Sequence, residues 1–422
     1  MAPLWYPANV LCQIAFFFGD LKPYIINPLK SFFFTFFYGF VTVGLGVIKM
    51  IKTKPVFLLM PCLFVFLSVL IGCSRQQPGI AQRDTLFLIS LNGKVGYIDK
   101  AGKLVVNPQF DVANNFSEGL AGVCVGGKDI FCEGGKWGYI DKAGKYVINP
   151  QFDVAWDFSE GLAVVCIGAK GIFCEGGKWG YIDKAGNLVV NPQFDVAYNF
   201  SEGLAGVCVG GKGIFCEGGK VGYIDKAGKY VINSQFDGAG RFSEGLAGVK
   251  IGDKWGYIDK AGKLVVNPQF DEAYNFSEGL AGVCVGGKDI FCEGGKWGYI
   301  DKAGKYVINP QFDGVYNFSE GLGVVKIGGK WGYIDKAGKL VVNPQFDVAY
   351  NFSEGLAGVK FSDKWGFIDK AGKYVINPQF DCAYNFSEGL AVVCVGGKGI
   401  FCEGGKRGFI DKAGKYVWNP TN

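Results

Sequence analysis

From about residue 84 onward, short apolar runs alternate with polar, glycine-containing stretches. Runs such as Trp331-Gly332-Tyr333-Ile334 and Leu340-Val341-Val342 are rich in aromatic and β-branched residues. They have strand length and strand composition. Between them lies Asp335-Lys336-Ala337-Gly338-Lys339. Aspartate suits the start of a turn, and glycine supplies its left-handed residue, so the two runs are predicted to form a hairpin. Asn343-Pro344 follows, and proline has no N–H for a ladder, so the second strand is expected to end there. A third strand, Leu356-Ala357-Gly358-Val359-Lys360, leads through a short turn into the next Lys-Trp-Gly. The unit is therefore expected to be a three-stranded antiparallel meander, with Gln345 to Gly355 as connector. The fold class is all-β.

The unit recurs through the rest of the chain. Its Trp-Gly step stands at Trp137, Trp179, Trp255, Trp297, Trp331 and Trp365, and three further copies carry Val95, Val221 and Arg407 instead. Successive copies are 42 or 34 residues apart, giving nine units. One unit cannot bury its apolar face alone, so neighbours must stack. The six tryptophans are expected in that core, each ring covering the bare backbone of the glycine beside it. The second strand alternates between two versions, from Leu104-Val105-Val106 and Tyr146-Val147-Ile148 through to Tyr374-Val375-Ile376.

Lys-Trp-Gly-Tyr-Ile-Asp-Lys-x-Gly-Lys, Asn-Pro-Gln-Phe-Asp and Phe-Ser-Glu-Gly-Leu-Ala closely resemble the WG (KWG) repeat family of bacterial proteins. The resemblance implies a β-rich repeat with no general assigned activity, and it carries over no catalytic residue. Two global arrangements answer to such an array: an extended solenoid-like stack and a closed β-propeller. Both ends of the array fall at the same phase of the repeat. A ring that closes by sharing strands of both termini in one blade would break that phase, which favours the open stack.

The first 83 residues have a different character. Two apolar runs, Ser31 to Ile48 and Val56 to Gly72, flank Lys49, Lys52 and Lys54. One reading is a pair of membrane-targeting helices with the basic loop in the cytoplasm. Another begins at Met50: a basic segment, an apolar run, then Leu70-Ile71-Gly72-Cys73. This resembles a bacterial lipoprotein signal peptide, with Cys73 as the lipidated residue. The expected organisation is an apolar extension over 1–49, upstream sequence or a transmembrane helix; a signal peptide or transmembrane helix over 50–73; a polar tether over 74–83; and the repeat array over 84–422. In either reading the repeats lie outside the cytoplasm, anchored to the membrane of a bacterial cell envelope.

Five of the units are longer by eight residues. Each long unit has two cysteines, one inside the insertion and one at a site where the short units have Lys250, Lys326 and Lys360. A residue outside the insertion thus changes together with it. Disulfides within each unit account for this: Cys124–Cys132, Cys166–Cys174, Cys208–Cys216, Cys284–Cys292 and Cys394–Cys402. An exported location permits them. Inert thiols and shared four-cysteine metal sites are the alternatives. Cys382 stands where other units have Val, Gly or Glu, and it has no partner in the pattern.

Charge narrows the partners. The net charge is +5, but residues 1–72 hold five lysines and one aspartate, so the remainder has 38 basic and 37 acidic residues. A near-neutral array with no basic stripe argues against nucleic acid. The chain contains no histidine, which removes His-based relays and His-ligated metals. No catalytic residue, metal site or cofactor is expected. The recurrent acids, such as Asp335 and Glu354, read as turn formers. The expected function is a non-catalytic binding or structural surface for an extracytoplasmic protein or polysaccharide. The rival is a lectin-like propeller with exposed aromatics.

Overall fold

A computed structural model describes residues 85–421, apart from 130, 171, 214, 289–290 and 399–401. The anticipated leader elements, including Cys73 and its lipidation, lie outside the described residues. Within the array, the described residues form nine small antiparallel sheets in chain order. The first has three strands, Phe87–Leu91, Lys94–Ile98 and Leu104–Phe110. The other eight have four. Blade 2, for example, contains Val112–Ala113, Ala121–Val125, Lys136–Ile140 and Tyr146–Phe152. We name these strands a to d, so that blade 1 consists of b, c and d.

Three local expectations differ from the observed structure. Each full unit adds a fourth strand of only two residues, strand a, within what was expected to be the connector. Strand d also does not stop at Asn-Pro but runs on to the following Phe. The proline is accommodated by a bulge: Trp137 pairs with Phe152 and Tyr139 with Ile148, with a register shift between. Bulges are where a strand tolerates proline. The bulge also explains the glycine after each tryptophan. A β-carbon on Gly138 would lie 2.5 Å from the Ile148 carbonyl oxygen and 2.6 Å from the Pro150 nitrogen. The backbone of strand d, rather than the adjacent indole, demands glycine. The indole covers a different glycine, Gly122 of strand b, whose β-carbon position lies 3.6 Å from the Trp137 ring.

The nine sheets close into a nine-bladed β-propeller, the second of the two arrangements weighed above. Every interface between successive blades repeats one contact: Gly144 in the c–d turn of blade 2 sits on Val106 of blade 1, and Gly186 of blade 3 on Ile148 of blade 2. The two ends meet through a related but shifted contact: Gly102 of blade 1 sits on the backbone carbonyl of Val417 in blade 9, one residue before Trp418, which holds the Val106 and Ile148 position. Around it Phe87, Ile89 and Ile98 pack with Leu390 and Phe409, flanked by Trp418. The Phe87 and Phe409 rings meet edge-on at 5.6 Å. As the phase of the repeat implied, no blade among the described residues mixes strands from both termini. The ring closes nonetheless, because packing between blades 9 and 1 joins the ends without a shared blade.

Recurring polar links tie successive blades. Tyr139 of blade 2 donates its hydroxyl to the Trp156 carbonyl of blade 3, and Ser117 donates to the Phe158 carbonyl. Glu118 of blade 2 accepts from the Gly161 N–H and pairs with Lys184, both in blade 3. Asp111, at the end of blade 1, pairs with Lys94 of its own blade and accepts from Gly126 N–H of blade 2. In an antiparallel meander, the a–b and c–d loops lie on one face of the ring, the b–c loops and blade-to-blade connections on the other. The Glu–Lys links hold the first face and the Asp links the second.

Candidate functional site

The eight extra residues lengthen the b–c hairpin. All five long hairpins, in blades 2, 3, 4, 6 and 9, therefore emerge on one face. Each is closed by a disulfide with the pairing anticipated from the sequence. The Cα–Cα spans of 5.9 to 6.3 Å suit such bonds. The second cysteine of every pair has a left-handed backbone, with φ between 56° for Cys292 and 66° for Cys174. The five loops thus share one conformation at this residue. Their Gly-Gly steps serve the disulfide: a β-carbon on Gly135 would strike Cys132 Sγ at 2.7 Å and Cys124 Sγ at 2.8 Å.

Blades 2, 3 and 4 set three of these loops side by side. Phe131 and Phe173 from adjacent loops meet with ring centroids 5.2 Å apart. Phe215 in blade 4 is 66% exposed, and Phe291 in blade 6 is 42% exposed. Aromatic side chains held outward on a closed loop are suited to contact, since they bury large area with little loss of rotamer freedom.

The predicted core tryptophans form a layer deep in the blades. Trp137, Trp179, Trp297, Trp331 and Trp365 are buried, while Trp255 is half-buried. A half-exposed aromatic from the a–b loop covers several of them. Tyr316 lies on Trp331 at 4.9 Å and 7°; Tyr274 and Tyr350 stack likewise on Trp297 and Trp365. Blade 5 has Gly240 at the tyrosine position, which is why Trp255 is less covered.

The next residue of this loop is asparagine in six of the eight copies, but Asp157 in blade 3 and Arg241 in blade 5. Neither residue belongs to a motif, and both stand out only when the units are aligned column by column. Asp157 Oδ1 is sealed from solvent without a partner. Burial pushes its carboxyl up to about 6, opposed by a hydrogen bond with Asn114. Burial also lowers the Arg241 guanidinium from its usual value.

The recurrent acids are engaged within the fold. Asp335 Oδ1 accepts from the Ala337 and Lys339 N–H groups, and Glu354 pairs with Lys412 and accepts from Gly389 N–H. The Lys94 ion pair holds Asp111 below the ordinary carboxylate range. Among the described residues, one cluster has metal-ligand proximity: the sulfur atoms of Cys382, Cys394 and Cys402. Two of these are joined as a disulfide, and Cys382 is free and buried.

These features define a repeat protein with a propeller fold, carrying disulfide-closed loops on one face. Eight segments between residues 96 and 398 match the WG containing repeat, and the chain belongs to that family. Among curated proteins, none matches the chain in sequence. Among solved structures, a eukaryotic initiation factor is similar in fold, with a TM-score of 0.52 and 11% identity over 81% of this chain and 97% of that one. A quinonprotein alcohol dehydrogenase-like protein from Bacteroides thetaiotaomicron aligns over 80% of this chain and 89% of its own, at 13% identity and a TM-score of 0.33. At such identities the first likeness concerns fold alone, and the second carries no argument. Among the described residues, no helix is long and apolar enough to cross a membrane.

Proposed function

We propose that this protein is a membrane-anchored, non-catalytic binding module of the bacterial cell envelope, and that the disulfide-loop face makes the contact. The observation that carries this reading is the set of five closed b–c loops on one face, three of them adjacent and two presenting exposed phenylalanines. Holding short loops in one shape lowers the ordering cost of binding, which is the main use of such closure at an interface. Several equal loops on one rigid ring suit a repeated or extended partner, a protein or polysaccharide. Five disulfides fit an oxidising compartment, and Gly72-Cys73 after a basic and apolar segment fits lipid anchoring outside the cytoplasm. The acids and lysines recur at ladder and turn positions that the fold itself uses, which supports a non-catalytic role.

A photo-crosslinking amino acid placed at Phe215 or Phe291 of the full chain, in its native cells, tests the reading. Adducts from these positions, with none from Ala185 on the opposite face, are expected. Adducts confined to Ala185, or absent from all three, would overturn it. Carbohydrate recognition by the half-exposed aromatic layer is the second reading, favoured by Tyr198 and its equivalents. Trp156→Ala would then abolish glycan binding while leaving the Phe215 adducts intact.

A further inference from the structure

Blade 9 differs from the other long blades at one position in strand a. Cys382 stands there, where the equivalents are Val112, Val154, Val196, Gly238, Glu272, Gly314 and Val348. Strand a pairs with strand b, and Cys382 lies directly opposite Cys394 in register. Cys394 is already bonded to Cys402. The three sulfur atoms lie within 4.8 Å of one another. All three residues are buried, so the neighbour best placed to react with the Cys382 sulfur is the disulfide itself.

We propose that the Cys382, Cys394 and Cys402 cluster is a thiol–disulfide exchange site that converts blade 9 between a latched and an unlatched loop. The Cys382 thiolate attacks Cys394 Sγ. A Cys382–Cys394 bond forms, the Cys394–Cys402 bond breaks, and Cys402 leaves as a thiolate that takes up the proton given off by Cys382. One disulfide replaces another, so no external oxidant or reductant enters the balance. Residues opposite one another on antiparallel strands have Cα atoms about 4.5–5.5 Å apart, inside the span of a disulfide. The new bond therefore needs no strand movement. It joins strands a and b within the sheet and releases Cys402 from strand b. The liberated Cys402 thiol then belongs to an untied loop on the proposed binding face, where it can form a mixed disulfide with another thiol-bearing molecule. The other four loops have no third cysteine and stay latched.

The surroundings set the pace. Burial and Asp381 push the Cys382 thiol up to about 11, and Arg407 opposes them. Below that value the thiolate fraction rises about tenfold per pH unit. Exchange is therefore slow at neutral pH and faster in alkali.

Disulfide mapping by peptide mass spectrometry tests the site in the intact chain. Samples held at pH 7 and pH 9.5 are acid-quenched and their free thiols alkylated. At pH 7 the expected label is on Cys382, with Cys394–Cys402 linked. At pH 9.5 a growing fraction should carry the label on Cys402, with Cys382–Cys394 linked. Cys382→Ser should leave Cys402 unlabelled at both values. Cys402→Ser, gently oxidised, should link Cys382 to Cys394. Wild-type Cys402 that stays unlabelled for hours at pH 9.5, or Cys402→Ser with both remaining thiols still free after oxidation, would overturn the proposal.

Discussion

Gly138 and Ile148 face each other so closely that a β-carbon on the first would lie 2.5 Å from the carbonyl oxygen of the second. The pair recurs as Gly180 with Val190, Gly256 with Val266 and Gly332 with Val342. Backbone cannot yield as a flexible side chain does. Gly138→Ala is expected to cost about 2–3 kcal/mol by overpacking, or to force the bulge out of register. Gly119→Ala, where the φ is positive but no atom lies within 4 Å, should cost about 1–2 kcal/mol from backbone strain alone. Denaturant midpoints of the two variants would rank them in this order.

The seam between blades 9 and 1 should be the weak interface of the ring. It has the packing of Phe87, Phe409 and Trp418, but among the described residues blade 1 has no strand a to receive the hydroxyl and serine links found elsewhere. Phe87→Ala is expected to remove about 3–5 kcal/mol. Amide exchange should then rise in 87–110 and 390–421, with blades 4 to 6 little changed. Uniform loss of protection around the ring would contradict this.

Asp157 predicts a pH dependence of stability. Burial raises its folded pKa from the ordinary 3.8 to about 6. The folded chain therefore keeps a proton that the unfolded chain has released. Between roughly pH 4 and 6 the unfolded state binds fewer protons, so stability falls as pH rises. Above about pH 6 the penalty is fully present. Asp157→Asn, the residue found at Asn199 and its equivalents, should raise the melting temperature at pH 7.5 and change it little at pH 4. Its gain at pH 7.5 should be on the order of 1–3 kcal/mol.

The Glu118 links are partly solvated, and the lysine end especially so. Glu118→Ala should therefore cost only about 1 kcal/mol. Part of that loss comes from the Gly161 N–H and should persist in high salt, whereas the Lys184 part should fade. Unfolding curves at low and high ionic strength separate the two.

Much of this fold was legible in the residues. The Asp-x-x-Gly hairpins were marked by local turn chemistry, and the cysteine pairings by their joint presence in the long units. Strand a was not legible, because two residues such as Val112 and Ala113 show no periodicity. The run of strand d through Pro150 was misread because a rule about regular ladders meets a bulge that also needs Gly138. Closure was hidden for a different reason. Its signals were single departures at the ends, Phe87 where other units have Ala or Gly and Trp418 where they have Val or Ile. A reading built on repetition discounts such departures. Asp157 and Arg241 were passed over in the same way.

The alternation of strand d has a topological consequence. Leucine and tyrosine versions take turns from blade 1 to blade 8, and each tyrosine meets the phenylalanine of the blade before it, as Tyr146 meets Phe110 and Tyr230 meets Phe194. Nine is odd, and two kinds cannot alternate around an odd ring without one clash of parity. The defect falls at blades 8 and 9, where Tyr374 is followed by Tyr416, and Tyr416 packs on Phe380. Blade 9 is thus the odd member, and it is also where Cys382, Arg407 and Trp418 depart from the pattern. A ring made by copying pairs can reach an odd number only by repeating one kind next to itself, and the unpaired blade is free to acquire chemistry of its own.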